Sequence, residues 1–357
     1  MPALHWMKRN ANLVFFVGGF LFDSITMTRI DSALDLLIQF AYLTIITVLM
    51  ILQARVENNK WAPTGRISKY WKYDTELLHF CYGGLLSGFI VFYFKSTSFS
   101  RSFVFLALIA VLMIANEMPQ VRKWGNQLRL GLYAFCVVSY LNYLLPVLIG
   151  RMGWPVFLLG WVLACALTLQ AMKWLSHAYP EPKLMLRRFT TSPATVLLLI
   201  LALYSLKLIP PVPLSIKHLG MYRAVQKEEG RYLLVSRKPA WYKPWATDNH
   251  TFPVRAGDEV YTFVSVFGPR GFTHSIFIRW MLWDEKRKEW LTADRFPIAL
   301  HGGRKDGFRG HMRKENYQLG RWRVNIETED ERVLGSKTFR IVEDTGMDER
   351  RTTARWF

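Results

Sequence analysis

The chain has 357 residues, 51% hydrophobic and 15% aromatic, with a mean hydropathy of +0.10. Lys and Arg outnumber Asp and Glu by 46 to 27, a net charge of +19, although only 20% of residues are charged. The apolar content excludes a disordered chain and three cysteines exclude a disulfide-stapled scaffold, while a soluble protein of this length would carry more charge.

Seven apolar stretches approach the length of ~20 residues needed to cross ~30 Å of hydrocarbon. They run Ala11–Met27, Leu34–Leu52, Glu76–Phe94, Phe103–Ile114, Gly131–Ile149, Trp154–Leu175 and Ala194–Ile209. The first follows Lys8 and Arg9, as a signal peptide would. It contains Asp23 and lacks a small-x-small cleavage site, so it reads as an uncleaved helix. The fourth is short unless Ser100 to Glu117 is included.

The loops set an orientation. With the N-terminus inside, 14 basic residues fall on the cytoplasmic side, among them Lys69, Arg129, Lys183 and Arg188. Four fall outside: Arg29, Lys95, Arg101 and Arg151. That is a positive-inside bias, and seven spans put the C-terminal part outside; six would put it inside. Trp61, Trp71, Trp124, Trp154 and Trp174 sit near span ends, as in an interfacial belt. The positive excess therefore reflects membrane topology and a basic domain facing anionic lipid rather than nucleic acid.

The outer ends of the spans hold Asp23, Arg29, Asp31 and Asp35, with Lys95 and Arg151 expected on the same side. Asp31 and Asp35 are four apart and share a helix face. A carboxylate inside a span, as at Asp23, is expensive unless paired. Two readings stay open. One is a charged pocket for a headgroup, an ion or a proton. The other is structural: Asp31 caps the second helix, Asp35 complements its dipole, and Arg29 neutralises them. His79 and Asn116 near the inner ends read as hydrogen-bonded interfacial residues, and Asn142 as a link between helices.

Pro210, Pro211 and Pro213 end the last span. Residues 211–230 read as a connector with a short amphipathic helix around Met221–Glu228. The hydrophobic period then changes to two. Expected strands are Arg231–Ser236, Glu259–Phe267, Ser275–Trp283, Glu289–Asp294, Gly307–Arg313, Arg321–Thr328 and Lys337–Val342. Such short strands, separated by turns, predict an all-β antiparallel sandwich, Ig-like in outline, over 231–345. Trp280, Trp322, Val324, Phe339 and Ile341 alternate as its core, and 346–357 reads as a basic tail.

Two surfaces of this domain are candidates for binding. The aromatic cluster Trp241, Tyr242 and Trp245 suits a sugar, a peptide or the bilayer interface. Arg309 and Arg313 alternate on one strand and could meet phosphate or an acidic polymer. His250, His274, His301 and His311 lack metal-ligand spacing, and no phosphate loop, dinucleotide fingerprint or nucleophile elbow is present. No metal, cofactor or catalytic residue is expected, and no nucleic-acid-binding module is recognisable.

The segment "GFRGHMRKENYQLGRWRVNIETEDERVLGSKTFRIVE" resembles the C-terminal part of the bacterial domain of unknown function 2914. The motif strands are Gly320–Arg321–Trp322–Arg323–Val324 and Phe339–Arg340–Ile341. "FDSITMTRIDSALD" and "LLPVLIGRMGWPVF" are similar to the multi-pass region that precedes that domain in bacterial proteins. Glu331 departs from the pattern, standing where a turn glycine is common. The resemblance implies architecture and is nearly silent on activity. The expectation is a bacterial inner-membrane protein with an external β-sandwich that serves as a non-enzymatic interaction or sensing module. The alternative is transport or modification of a lipid or anionic envelope component at the Asp23 cluster. Membrane lipids, and an envelope protein or polysaccharide, are the expected partners.

Overall fold

The computed structural model describes residues 20, 21, 23–25, 27, 31–96, 99–118, 125–237, 251–301, 307–346 and 352–357. The chain divides into a helical unit, Met1–Lys95 with Ser100–Pro213, and a β unit, Leu214–Phe357 together with the short segment Ser96–Phe99.

Among the described residues, the helical unit holds seven α-helices. They are α1 (Ala33–Glu57), α2 (Gly65–Tyr70), α3 (Asp74–Lys95), α4 (Phe99–Glu117), α5 (Asn126–Ile149), α6 (Trp154–Ser176) and α7 (Pro182–Ser205). Five segments are long and apolar enough to cross a membrane: α1, α2 with α3, α5, α6 and α7. The apolar part of α4, Phe103–Asn116, is shorter. Most of the expected first span lies outside the described residues. The last span starts earlier than its apolar run suggests, at Pro182, because a proline in the first turn has no hydrogen bond to lose. Ser32 caps α1, its side chain accepting from Asp35 N. The cap expected at Asp31 is therefore corrected by one residue, while Asp35 does sit in the first turn.

Small residues let α1 and α3 approach. A Cβ on Gly84 would stand 2.7 Å from the Tyr42 ring, and one on Gly88 would stand 2.7 Å from Gln39 Nε2. Glycines four apart present one bare stripe to the neighbouring helix. Aromatic edges fill the space between α3, α4 and α5, with Tyr93 against Phe105 at 4.8 Å and Phe92 against Tyr143 at 5.6 Å. The opposite faces carry exposed apolar side chains such as Leu158, Val162, Leu167 and Leu198.

The β unit has eleven described strands. They are β1 (Ser215–Tyr222), β2 (Ala224–Glu228), β3 (Arg231–Arg237), β4 (Thr251–Val254), β5 (Val260–Phe267), β6 (Thr273–Asp284), β7 (Glu289–His301), β8 (Phe308–Lys314), β9 (Gly320–Thr328), β10 (Val333–Glu343) and β11 (Thr352–Trp356). They form three sheets, ordered β1-β5-β8, β4-β10-β9-β6-β7 and β11-β3-β2. All seven expected strands are present.

Three expectations are corrected. The stretch 211–230 is not a connector with a helix: it carries β1 and β2, and β1 pairs with β5 along its length. The tail is not free, since β11 pairs antiparallel with β3. The sheets are not wholly antiparallel, because β4 runs parallel to β10. A sequence period finds a strand with alternating burial, but β2 and β11 are short and polar, and only a partner edge makes strands of them.

The expected core holds. Trp280, Trp322, Val324, Phe339 and Ile341 are all buried, with Trp280 in edge contact at 5.9 Å with both Trp322 and Phe339. Lys314 reaches into this core, pairs with Asp294, and lies over the Trp322 ring at 5.3 Å. A lysine this buried persists because a carboxylate and two aromatic faces replace its water.

Candidate functional site

The structure brings part of the expected charged cluster together. Asp23 is half-buried four residues before Met27, and Asp35 stands in the first turn of α1. Lys95, at the end of α3, donates to the carbonyl of Met27, whose N–H bonds back to the Asp23 carbonyl at 2.8 Å. Arg151 is exposed just beyond Gly150, which ends α5 in a left-handed conformation (φ 74°). Asp31 is half-buried beside the capping residue. Arg29 lies outside the described residues.

One turn further along α1, on the face of Asp35, stands Gln39. It is fully buried, and neither amide atom has a hydrogen-bond partner. Tyr143 of α5 is also fully buried with its hydroxyl unpaired, and it lies within electrostatic reach of Asp35. Close by, Asn142 Nδ2 donates to Tyr93 Oη at 3.0 Å and Tyr140 Oη donates to the Leu36 carbonyl at 3.1 Å. One end of the helical unit thus holds a polar layer, with Asp35 in the first turn of α1, the buried Gln39 one turn further on, and the buried Tyr143 of α5. Unpaired buried amide and hydroxyl groups cost roughly 1–3 kcal/mol each, which a bound water or cation would relieve.

Sequence reasoning missed Gln39 and Tyr143. An isolated Gln in an apolar run has no spacing signal, and a Tyr reads as ordinary filling. The usable signal was Gln39 at four residues from Asp35, on the same face. His79 and Asn116 were expected at an interface. They are buried and hydrogen-bonded to each other, His79 Nδ1 lying 2.8 Å from Asn116 Oδ1 and Asn116 Nδ2 donating to the His79 carbonyl at 3.0 Å.

In the β unit the expected basic strand is occupied by internal partners. Arg309 donates to the carbonyl of Phe357 at 3.2 Å, and Arg313 pairs with Glu259 at 3.2 Å and Glu315 at 2.7 Å. Trp241, Tyr242 and Trp245 lie outside the described residues. A different aromatic–arginine surface is formed where β6 and β7 meet. Trp283 and Trp290 meet edge to face at 5.2 Å, Arg323 lies over Trp290 at 4.1 Å, and Arg321 is exposed beside both rings. Glu327 is buried between Arg279 (3.0 Å) and Arg295 (2.9 Å). Burial lowers the pKa of His274, opposed by the nearby charges of Asp330 and Glu329. Among the described residues no group of three or more His, Cys, Asp or Glu is placed to hold a metal ion.

Residues 273–341, which span β6 to β9 and most of β10, match the family described as Protein of unknown function (DUF2914). No curated protein matches the chain significantly. Solved structures with some likeness include an immunoglobulin-like protein from Pseudomonas aeruginosa, at 12% identity and a TM-score of 0.23, covering 37% of this chain and 98% of that one. A β-glucosidase from Kluyveromyces marxianus aligns at 12% identity and a TM-score of 0.20, over 43% of this chain and 17% of its own. An alkylpurine DNA glycosylase from Pseudomonas fluorescens aligns at 11% identity and a TM-score of 0.23, over 88% of this chain and 99% of its own. Scores this low carry no argument about fold or activity.

Proposed function

We propose that the chain is a bacterial inner-membrane protein whose helices anchor a periplasmic β unit, Ig-like in outline, that acts as a non-enzymatic interaction or sensing module. The membrane part of this reading is supported by exposed leucines and valines along helices of spanning length, a surface that water would disfavour and acyl chains would cover. Five segments have spanning length, and this reading counts α4 and the apolar sequence before Met27 as two more, an odd number that would put the β unit outside.

The observation that carries the interaction reading is the chemistry of the β unit's surface. Its buried charges are consumed in internal pairs such as Arg279–Glu327–Arg295 and Lys314–Asp294. The unit also presents the Trp283, Trp290, Arg321 and Arg323 stack, an aromatic and cationic surface suited to an acidic protein or polysaccharide. Periplasm-dependent reporters fused after Lys217 should be active, and fusions near Lys69 or Lys183 silent. The opposite pattern overturns the orientation. With the orientation upheld, Trp290→Ala with Arg321→Ala should abolish co-purification of an envelope component and leave thermal unfolding unchanged.

A second reading rests on the unpaired amide of Gln39 beside Asp35. There the helices would transport or modify a small cationic or lipid species. Under that reading, adding Na⁺ raises the melting temperature of the wild type in detergent, and Asp35→Asn removes the response. No response in the wild type leaves the interaction module standing.

A further inference from the structure

We infer that the outer face of the five-stranded sheet binds a saccharide polymer that carries carboxylate groups. This rests on the interaction reading above and narrows its partner to one class. Strand register sets four side chains in a line across that face. Trp290 of β7 stands opposite Trp283 of β6, and Arg321 of β9 stands opposite Arg340 of β10. The two pairs adjoin, because Leu282 is opposite Trp322 and the antiparallel neighbours Trp283 and Arg321 follow. The Arg321 guanidinium lies 5.9 Å from the Trp283 ring and 5.5 Å from the Trp290 ring, so all three share the face. Trp322 and Phe339, next in sequence to the arginines, are buried on the other side. With strands about 4.8 Å apart, the line runs about 14 Å, two rings and then two guanidinium groups.

The line is open to a ligand. Arg321 and Arg340 are exposed, and among the described residues neither has a carboxylate partner. Trp283 and Trp290 are half-buried. Their orientation is fixed from the side: Arg323 lies over the Trp290 ring at 4.1 Å, and its Nε donates to Thr338 Oγ1 at 3.3 Å. The carboxylates near this face are committed elsewhere, Glu327 to Arg279 and Arg295, and Glu331 to Arg279. The line itself is therefore cationic at one end and aromatic at the other.

The occupant follows from what this face offers. Strands β6, β9 and β10 each have a hydrogen-bonded neighbour on both sides, so their main-chain groups are taken up in the ladders. A peptide laid across them would find no backbone edge, which strand-addition recognition requires. What remains is π faces and guanidinium forks. The negative face of an aromatic ring attracts the C–H face of a pyranose. A guanidinium meets a carboxylate through two parallel N–H···O bonds. A chain of sugar rings bearing carboxylates uses both halves of the line. A neutral glycan leaves the arginines unused, and a simple polyanion leaves the rings unused.

The test is calorimetric titration of the full chain in an uncharged polyoxyethylene detergent with three probes: oligogalacturonate, its methyl ester, and poly-glutamate of matched charge. Oligogalacturonate should bind at least about tenfold more tightly than either of the others. Arg321→Gln with Arg340→Gln should remove the preference over the methyl ester. Trp283→Ala should remove the preference over poly-glutamate; Trp283→Leu takes its place should the first fail to fold. Equal binding of oligogalacturonate and poly-glutamate by the wild type overturns the proposal, since charge alone would then suffice. So does an absence of oligogalacturonate binding, or binding that the folded arginine double variant leaves undiminished. The titration in detergent does not depend on orientation, so reversed reporter fusions would sink the periplasmic reading and leave this site standing. Conversely, a co-purifying component lost with Trp290→Ala and Arg321→Ala, from a wild type that ignores oligogalacturonate, would keep the interaction module and sink the saccharide.

Discussion

Glu331 is where a single residue tests the turn between β9 and β10. It occupies a left-handed conformation at φ 61°, which a side chain enters at a cost of roughly 1–2 kcal/mol. The residue is retained with a partner, since its carboxylate meets Arg279 at 2.7 Å. Glu331→Gly removes the strain and the half-exposed ion pair together, whereas Glu331→Ala removes only the pair. The glycine variant should therefore be more stable than the alanine variant by about 1 kcal/mol in equilibrium denaturation. An alanine variant at least as stable as the glycine one would mean the turn is not strained. His274 gives a pH dependence. Its pKa is lowered in the folded state by burial, so the unfolded chain binds a proton that the folded chain resists. The contribution is complete above the ordinary histidine value of about 6.5 and is lost as pH falls through that value toward the lowered one. The β unit should lose stability as pH falls through about 6.5 and below, and His274→Gln should flatten that slope in thermal unfolding followed across the range.

At the scale of elements, the ends of the β unit depend on partners far away in sequence. The strand β11 bonds to β3 from Thr352 to Trp356, and Phe357 exchanges backbone hydrogen bonds with Tyr232 at 2.9 and 3.1 Å. The Phe357 ring also packs 5.0 Å from Phe263 in the small aromatic cluster of Tyr222, Tyr232 and Phe263. Truncation after Gly346 should therefore expose the free edge of β3 and speed amide hydrogen exchange through Arg231–Arg237, while β6, β9 and β10 stay protected. Uniformly faster exchange across all sheets would instead make β11 part of the global core. These strands also show what the sequence conceals. Arg321–Thr328 and Ser275–Trp283 announce themselves because large apolar residues recur at every second position, Trp322, Val324 and Ile326 in one and Ile276, Ile278 and Trp280 in the other, all of them buried. Thr352–Trp356 has mostly exposed residues, so its conformation comes from the edge of β3 and not from its own pattern. The candidate polar layer divides the same way. Asp23 is legible because a carboxylate in an apolar run has no inexpensive explanation. Gln39 and Tyr143 become visible only when α1, α3 and α5 are brought together and their polar atoms are found without partners.

At the scale of the whole molecule, the sequence places the change of hydrophobic period after residue 230, whereas the boundary between the two compact units falls at Leu214, because β1 and β2 pair within the β unit. A fragment from Leu214 to Phe357 should fold alone as a soluble β protein, because its sheets pair within it and its core is its own. Trp322→Ala in that fragment should cost about 3–5 kcal/mol by chemical denaturation, since the ring is buried and its Nε1 donates to the Gln318 carbonyl at 2.8 Å. An unchanged midpoint would put the tryptophan outside the core. The sequence by itself determined the helical and β halves, five of the helices long enough to span, the seven patterned strands and the five core residues, since each is written in local apolar periodicity. Only the tertiary structure decided the rest. It showed that Gln39 and Tyr143 are buried with unpaired polar atoms, that the basic strand is already paired, that β1, β2, β4 and β11 exist, and that an apolar groove opens between α3, α4, α5 and α7. Those features depend on residues brought close by packing, and a linear pattern carries no record of distances between segments far apart in the chain.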